Sequence, residues 1–291
     1  MPESPFDPAQ DSAYRQWREE KLADYPTQLE ELVVEVRDPR GLTPSEHARV
    51  LGLCRKTNMA LYASPLGAAP DKEMPRALGR QFGLERLDDN LGADDDAITS
   101  LTVQSDALHR GYIPYTDRPI AWHTDGYYNP RERQIHGLVL HCVQPAEEGG
   151  ENDLLDHEIA YLMLRDRSPD YIRALMRPDV MTIPANLSDG QEIRPPQPGP
   201  VFSIRADGRL HMRYTARTRS IEWRDDPLTR EALACLEQIL REPCPWRFRG
   251  KLQSGQGLIC NNVLHTRTGF RDGPRPRLLY RARYYDRIRE T

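Results

Sequence analysis

The 291-residue chain predicts a mainly β protein with flanking helices, an antiparallel sandwich or jelly roll. Strand-like runs dominate its middle and end. Helix-like runs cluster early and in connections. The two do not alternate, as they would in a doubly wound fold.

The elements follow in order. The first 30 residues read as a polar N-terminal extension holding one helix, about Ala13 to Tyr25. "VVEVRD" (33–38) reads as a strand. In "LTPSEHARVLGLCRKT" Thr43 caps a helix, Pro44 opens it and Glu46 completes a capping box. "DDNLGADDDA" (88–97) is an acidic loop, and "RQIHGLVLHCVQP" is a strand ended by Pro145. Ser168 and Pro169 start another helix. "NLSDGQEIRPPQPGP" (186–200) is proline-rich and aperiodic, and reads as a long lid loop. "FSIRADGRLHMRYTAR" reads as a hairpin around Asp207-Gly208, and "DPLTREALACLEQILRE" as an amphipathic helix. A buried strand in "GQGLICNNVLHTR" turns at Asn261-Asn262, and Arg277–Tyr285 is the last strand.

A hydrophobic fraction of 38% and a charged fraction of 29% describe a soluble globular chain, read as one domain over 1–291. No apolar run nears the roughly 20 residues of a membrane span. No secretory leader is legible. The five cysteines are scattered and odd in number, as in a reduced, cytoplasmic protein. A net charge of −4 argues against a general nucleic-acid binder. A small-molecule partner is expected, and a homo-oligomer is left open. The end of the chain differs: eight arginines fall within residues 265–291. They read as a solvated basic edge or as an anion site.

In "AWHTDGYY" (121–128), His123 and Asp125 are two apart. On a strand they share a face. A nitrogen and a carboxylate oxygen are two parts of a 2-His-1-carboxylate triad, which leaves open positions on non-heme iron. The third donor must be a histidine from elsewhere: His47, His109, His136, His141, His157, His211 or His265. His265 fits best, directly after the apolar strand and the Asn-Asn turn. Arg277 and Arg281 follow it.

This order resembles the taurine-dioxygenase-like branch of the Fe(II)/2-oxoglutarate-dependent oxygenases, in the clavaminate synthase-like superfamily. The stretches concerned are "WHTDG", "EEGGEND", "GQGLICNNVLHTRTGF" and "RPRLLYRARYYD", with His265 lying 140 residues after Asp125. The likeness covers roughly residues 100–290. It implies a double-stranded β-helix (cupin-like jelly roll) and three iron ligands, His123, Asp125 and His265. It implies Fe(II), 2-oxoglutarate and O₂ as cofactor and co-substrates, with release of succinate and CO₂. Hydroxylation of a small anionic or zwitterionic molecule is the expected outcome. Desaturation, cyclisation and C–N cleavage share the same ligands. A metal-binding jelly-roll sensor and a zinc hydrolase are the readings from other classes.

The resemblance also assigns Arg277 to the distal carboxylate of 2-oxoglutarate, with Arg275 as competitor, and Arg281 to co-substrate or substrate. Asn152 stands where the family often has threonine; its amide can still donate to the co-substrate. Tyr127 would line the pocket if the strand of His123 continued. Arg213 and Arg217 alternate onto one face, where they serve an acidic substrate or form an exposed ladder.

Overall fold

The apolar run after Ile135 becomes an eight-residue strand, Gly137–Gln144, at the heart of a six-stranded sheet. The computed structural model describes residues 4–67, 69–89, 97–104, 113–188, 191–219 and 221–291. These residues fall into two compact units: Pro26–Ala121 with Ile135–Leu154 and Arg247–Thr291, and Met1–Tyr25 with Trp122–Gln134 and Leu155–Trp246.

The first of these units is the β core. Its large sheet runs in the order Val33–Glu35, Met59–Ala63, Gln256–Cys260, Gly137–Gln144, Leu278–Tyr284, Ile98–Leu101. All neighbours are antiparallel except the first pair. One face carries Val34, Val139, Val143, Ile259 and Ala282, packed on the helix residues Val50, Cys54 and Leu78. The helix Pro44–Thr57 starts as predicted, with the Thr43–Glu46 capping box formed.

The alternate residues Leu61, Leu140 and Leu258 face the other way, into a cavity of about 510 Å³. Asn152, Leu154, Gly250 and His265 line the same cavity. They come from a four-stranded sheet ordered Arg247–Gly250, Asn152–Leu155, Leu264–Arg267, Ile120–His123. Two sheets lining one cavity fit the predicted jelly roll.

The other unit holds the α-helices Asp11–Leu22, His157–Arg167, Pro169–Leu175 and Pro227–Arg241. Its small sheet is ordered Gln197–Gly199, Met181–Ile183, Glu222–Trp223. The predicted hairpin at Asp207-Gly208 is present, pairing Phe202–Ile204 with Leu210–Met212.

Three expectations change. The polar N-terminal extension is not loose chain, since its helix Asp11–Leu22 is docked. The Tyr14 hydroxyl donates to Leu162 O at 3.2 Å and to Asp166 at 2.7 Å. The buried Lys21 ammonium lies 2.7 Å from Asp156 and 2.6 Å from Glu158. Residues 186–200 are not aperiodic: Asn186–Ser188 pairs with Gln191–Arg194, and Gln197–Gly199 pairs with Met181–Ile183. Proline is tolerated in such short edge strands. The last strand begins at Leu278, with a register shift between Leu278 and Leu279. Residues 90–96 of the acidic loop, residues 189–190 of the expected lid and His109 lie outside the described residues.

The Lys21 ammonium lies against the buried carboxylates of both Asp156 and Glu158. Removing it takes a positive charge away from two buried carboxylates. Lys21→Ala is expected to lower the unfolding free energy by about 3–5 kcal/mol, measured by urea denaturation. A loss under about 1 kcal/mol, typical of an exposed pair, would contradict the docked helix.

Candidate functional site

The chain through His123 is fixed by backbone bonding to residues 214–216. Thr124 N–H donates to Tyr214 O at 3.0 Å, and Ala216 N–H to Trp122 O at 2.8 Å. Tyr214 N–H donates to the Thr124 hydroxyl at 3.1 Å. His123 and Thr215 form a bridge. The strand then stops. Asp125 sits in a turn with Gly126 at φ +67°, where a side chain would be strained. Strand alternation is therefore not what aligns the pair, as the sequence had suggested. Even so, His123 Nε2 lies 3.4 Å from Asp125 Oδ1, and both residues are buried. Two donors each about 2.1 Å from one first-row divalent ion, at right angles, are about 3 Å apart. The spacing is long for a direct hydrogen bond. It fits two ligands of a shared ion.

His265 begins from a pinned turn. Asn262 takes φ 51° and donates through Nδ2 to Ile135 O at 2.7 Å. The Asn261 amide donates to Asn58 Oδ1 at 3.0 Å and to the Thr291 hydroxyl at 2.9 Å. His265 Nδ1 lies 3.0 Å from Val263 O. A carbonyl only accepts, so Nδ1 carries the proton, and in the neutral ring Nε2 is the nitrogen with the lone pair. The ring lines the cavity of the β core. Other histidines have different roles. His141 Nδ1 lies 2.9 Å from the Tyr62 hydroxyl, and burial pushes its pKa down to about 4. His47 stacks on Phe82 and bonds Gln81 O through Nε2.

The arginines separate by burial. Arg275 is exposed, whereas Arg277 is 4% exposed. The Arg277 guanidinium stands 5.0 Å from the Phe270 ring centre. Burial holds its pKa below the ordinary value, with Cys142 and Asp272 opposing. Its side chain makes no hydrogen bond or ion pair among the described residues; only its backbone N–H is engaged, by Asp272 at 2.9 Å. A buried guanidinium without a carboxylate is a ready anion site. Arg277 precedes the strand Leu278–Tyr284, so strand pairing does not fix its face. Arg281 stands opposite Leu140, a cavity residue, and so lies on the cavity face of the sheet.

Asn152 Nδ2 donates to Thr266 O at 2.6 Å while the residue lines the cavity, which leaves one amide N–H and its oxygen. Tyr127 is half-buried, edge-on to Tyr128 at 5.3 Å. The exposed Arg217 reaches the Tyr127 hydroxyl at 3.3 Å. Arg213 does not fit the predicted role in substrate binding. It is buried, and its guanidinium donates to three backbone carbonyls.

Arg267 was missed, because an arginine is ordinarily exposed. It is buried and donates to Thr116 O and Arg118 O, each at 2.6 Å. It thereby fixes the chain entering the strand Ile120–His123. Burial, with Arg277 nearby, pushes its pKa down to about 9. The alternation into strand Leu264–Arg267 puts it on the same face as His265, and that spacing was available in the sequence.

Residues 63–283 match the family model described as "Taurine catabolism dioxygenase TauD, TfdA family". A uridine-5'-phosphate dioxygenase from Amycolatopsis sp is 27% identical over 282 residues, covering 90% of this chain and all of that protein. Among solved structures, AAD-2 in complex with Mn(II) and N-oxalylglycine superposes with a TM-score of 0.63 at 15% identity, covering 89% of this chain and 96% of that one. Asparagine oxygenase in complex with Fe(II), 2S,3S-3-hydroxyasparagine and succinate gives 0.58 at 14% identity, covering 84% and 80%. The two structural likenesses show the jelly-roll fold; the family match sets the sensor and zinc-hydrolase readings aside. The chain belongs to the TauD/TfdA family and is a 2-oxoglutarate-dependent non-heme iron dioxygenase.

Proposed function

We propose that His123, Asp125 and His265 hold one ferrous ion, that Arg277 clamps 2-oxoglutarate, and that the molecule oxidised is a nucleoside 5'-phosphate. The carrying observation is the donor set: a histidine and a carboxylate spaced for a shared ion, and a histidine whose tautomer leaves Nε2 to coordinate. Two donors of the proposed set share one short stretch of chain, and the third lines the cavity of the β core. Two imidazoles, one carboxylate and no thiolate suit iron with open positions.

Bound iron supplies the O₂ reduction that, with loss of CO₂ from 2-oxoglutarate, oxidises a substrate C–H bond. The protein's own residues do the rest. Asp125 offsets one positive charge of the ion. The Val263 carbonyl orients the His265 ring through Nδ1. Arg277, desolvated, pairs bidentately with the far carboxylate, and the remaining amide hydrogen of Asn152 can supplement it. Arg281, on the cavity face, contacts co-substrate or substrate. The substrate class rests on the end-to-end likeness to the uridine-5'-phosphate enzyme. Arg217 and the Tyr127 hydroxyl, already in contact, offer donors to a phosphate. All five cysteines are free, consistent with a reducing, cytoplasmic setting. Among the described residues no helix is long and apolar enough to cross a membrane.

Succinate formation and O₂ uptake are expected to rise with uridine 5'-phosphate or a related nucleotide, and not with taurine or asparagine. Hydroxylation of the carbon bearing the phosphate ester would also release inorganic phosphate and leave an aldehyde, which locates the attack. Stimulation by taurine or asparagine alone would overturn the substrate class.

Arg277→Ala is expected to raise the 2-oxoglutarate concentration needed by about 10- to 150-fold, the worth of a charged hydrogen-bonded pair. Retained iron should not change, and Arg275→Ala should be silent. The reverse pattern would move the clamp to Arg275.

A further inference from the structure

Arg213 follows the strand Leu210–Met212 and is 4% exposed. A buried guanidinium is tolerated only when its N–H groups are matched. Here Nε donates to Tyr127 O at 2.7 Å, Nη1 to Met181 O at 3.0 Å and Nη2 to Gln197 O at 2.7 Å. Burial pushes its pKa down, with Arg194 adding to the effect, to about 10, so it stays charged at neutral pH. The three acceptors belong to separate stretches of chain. Tyr127 is two residues beyond Asp125 in the same turn. Met181 and Gln197 lie on the paired strands Met181–Ile183 and Gln197–Gly199. The fork also passes close over Gly199: a Cβ there would stand 3.2 Å from Nη1. The next residue, Tyr214, grips the near side of the motif by bonding Thr124. Residues 213 and 214 thus hold both flanks of Asp125.

We propose that Arg213 is a positioning residue for the iron site: it fixes the Asp125 turn against the strand pair at Met181 and Gln197, and so sets the carboxylate for the metal. The proposal rests on Asp125 being an iron ligand. Lysine cannot replace it, because one ammonium on a flexible stem does not reproduce a planar fork aimed at three carbonyls.

The test compares wild type, Arg213→Lys, Gly199→Ala and Asp125→Ala. Fe(II) affinity is measured by anaerobic equilibrium dialysis, and amide hydrogen exchange is followed over residues 126–128. Folded fraction is checked by circular dichroism. Arg213→Lys is expected to weaken Fe(II) binding roughly 10- to 100-fold per folded molecule, as loss of a ligand-orienting partner does, and to speed exchange in the turn. Gly199→Ala leaves the guanidinium in place but crowds Nη1, and should weaken Fe(II) binding in the same direction by less. It decides the question if Arg213→Lys does not fold. Wild-type Fe(II) affinity in both folded variants, with only a lower melting temperature, would make Arg213 a purely structural tie and overturn the proposal. If Asp125→Ala also keeps its iron, the assignment of the ligand itself fails, and the two failures are thereby told apart.

Discussion

A ferrous ion with open coordination positions needs donors that are held before the metal arrives, and each of the three proposed donors sits in chain tied down by hydrogen bonds. His123 is fixed by the pairing of residues 122–124 with 214–216. His265 is fixed by the Val263 carbonyl and by a turn whose two asparagines are bonded outward. Asp125 sits in a turn held through Tyr127 O.

The buried arginines show how one residue type serves several ends. Burying a guanidinium is unfavourable unless its donors are used. Arg213 and Arg267 use theirs on carbonyls, and each lies beside chain that leads to a proposed ligand. Arg283 pairs with Asp88, which the Tyr285 hydroxyl also bonds. The Arg277 guanidinium has an aromatic neighbour but no hydrogen-bonded carboxylate among the described residues. A dianionic keto acid would complete what the fold leaves open there.

Much of this was legible in the sequence. The capped helix at Thr43, the apolar strand after Ile135 and the Asn-Asn turn before His265 are local signals, and local chemistry decided them. The motif "WHTDG" was readable as a donor pair, although the geometry that aligns it is a turn and not strand alternation. Tertiary packing decided the rest. The first helix is polar enough to read as an extension, yet its Lys21 is matched by two buried carboxylates 135 or more residues away. Arg213 looked like one rung of a charged ladder; carbonyls brought from Tyr127, Met181 and Gln197 made it a tether. Nothing local distinguishes Arg275 from Arg277, whereas burial does.

The most direct measurement is anomalous diffraction at the iron absorption edge, on crystals soaked anaerobically with Fe(II). A single peak bounded by Nε2 of His123, an Asp125 carboxylate oxygen and Nε2 of His265 is the result this account predicts. A peak elsewhere, or one that leaves the imidazole of His265 turned away, would contradict it.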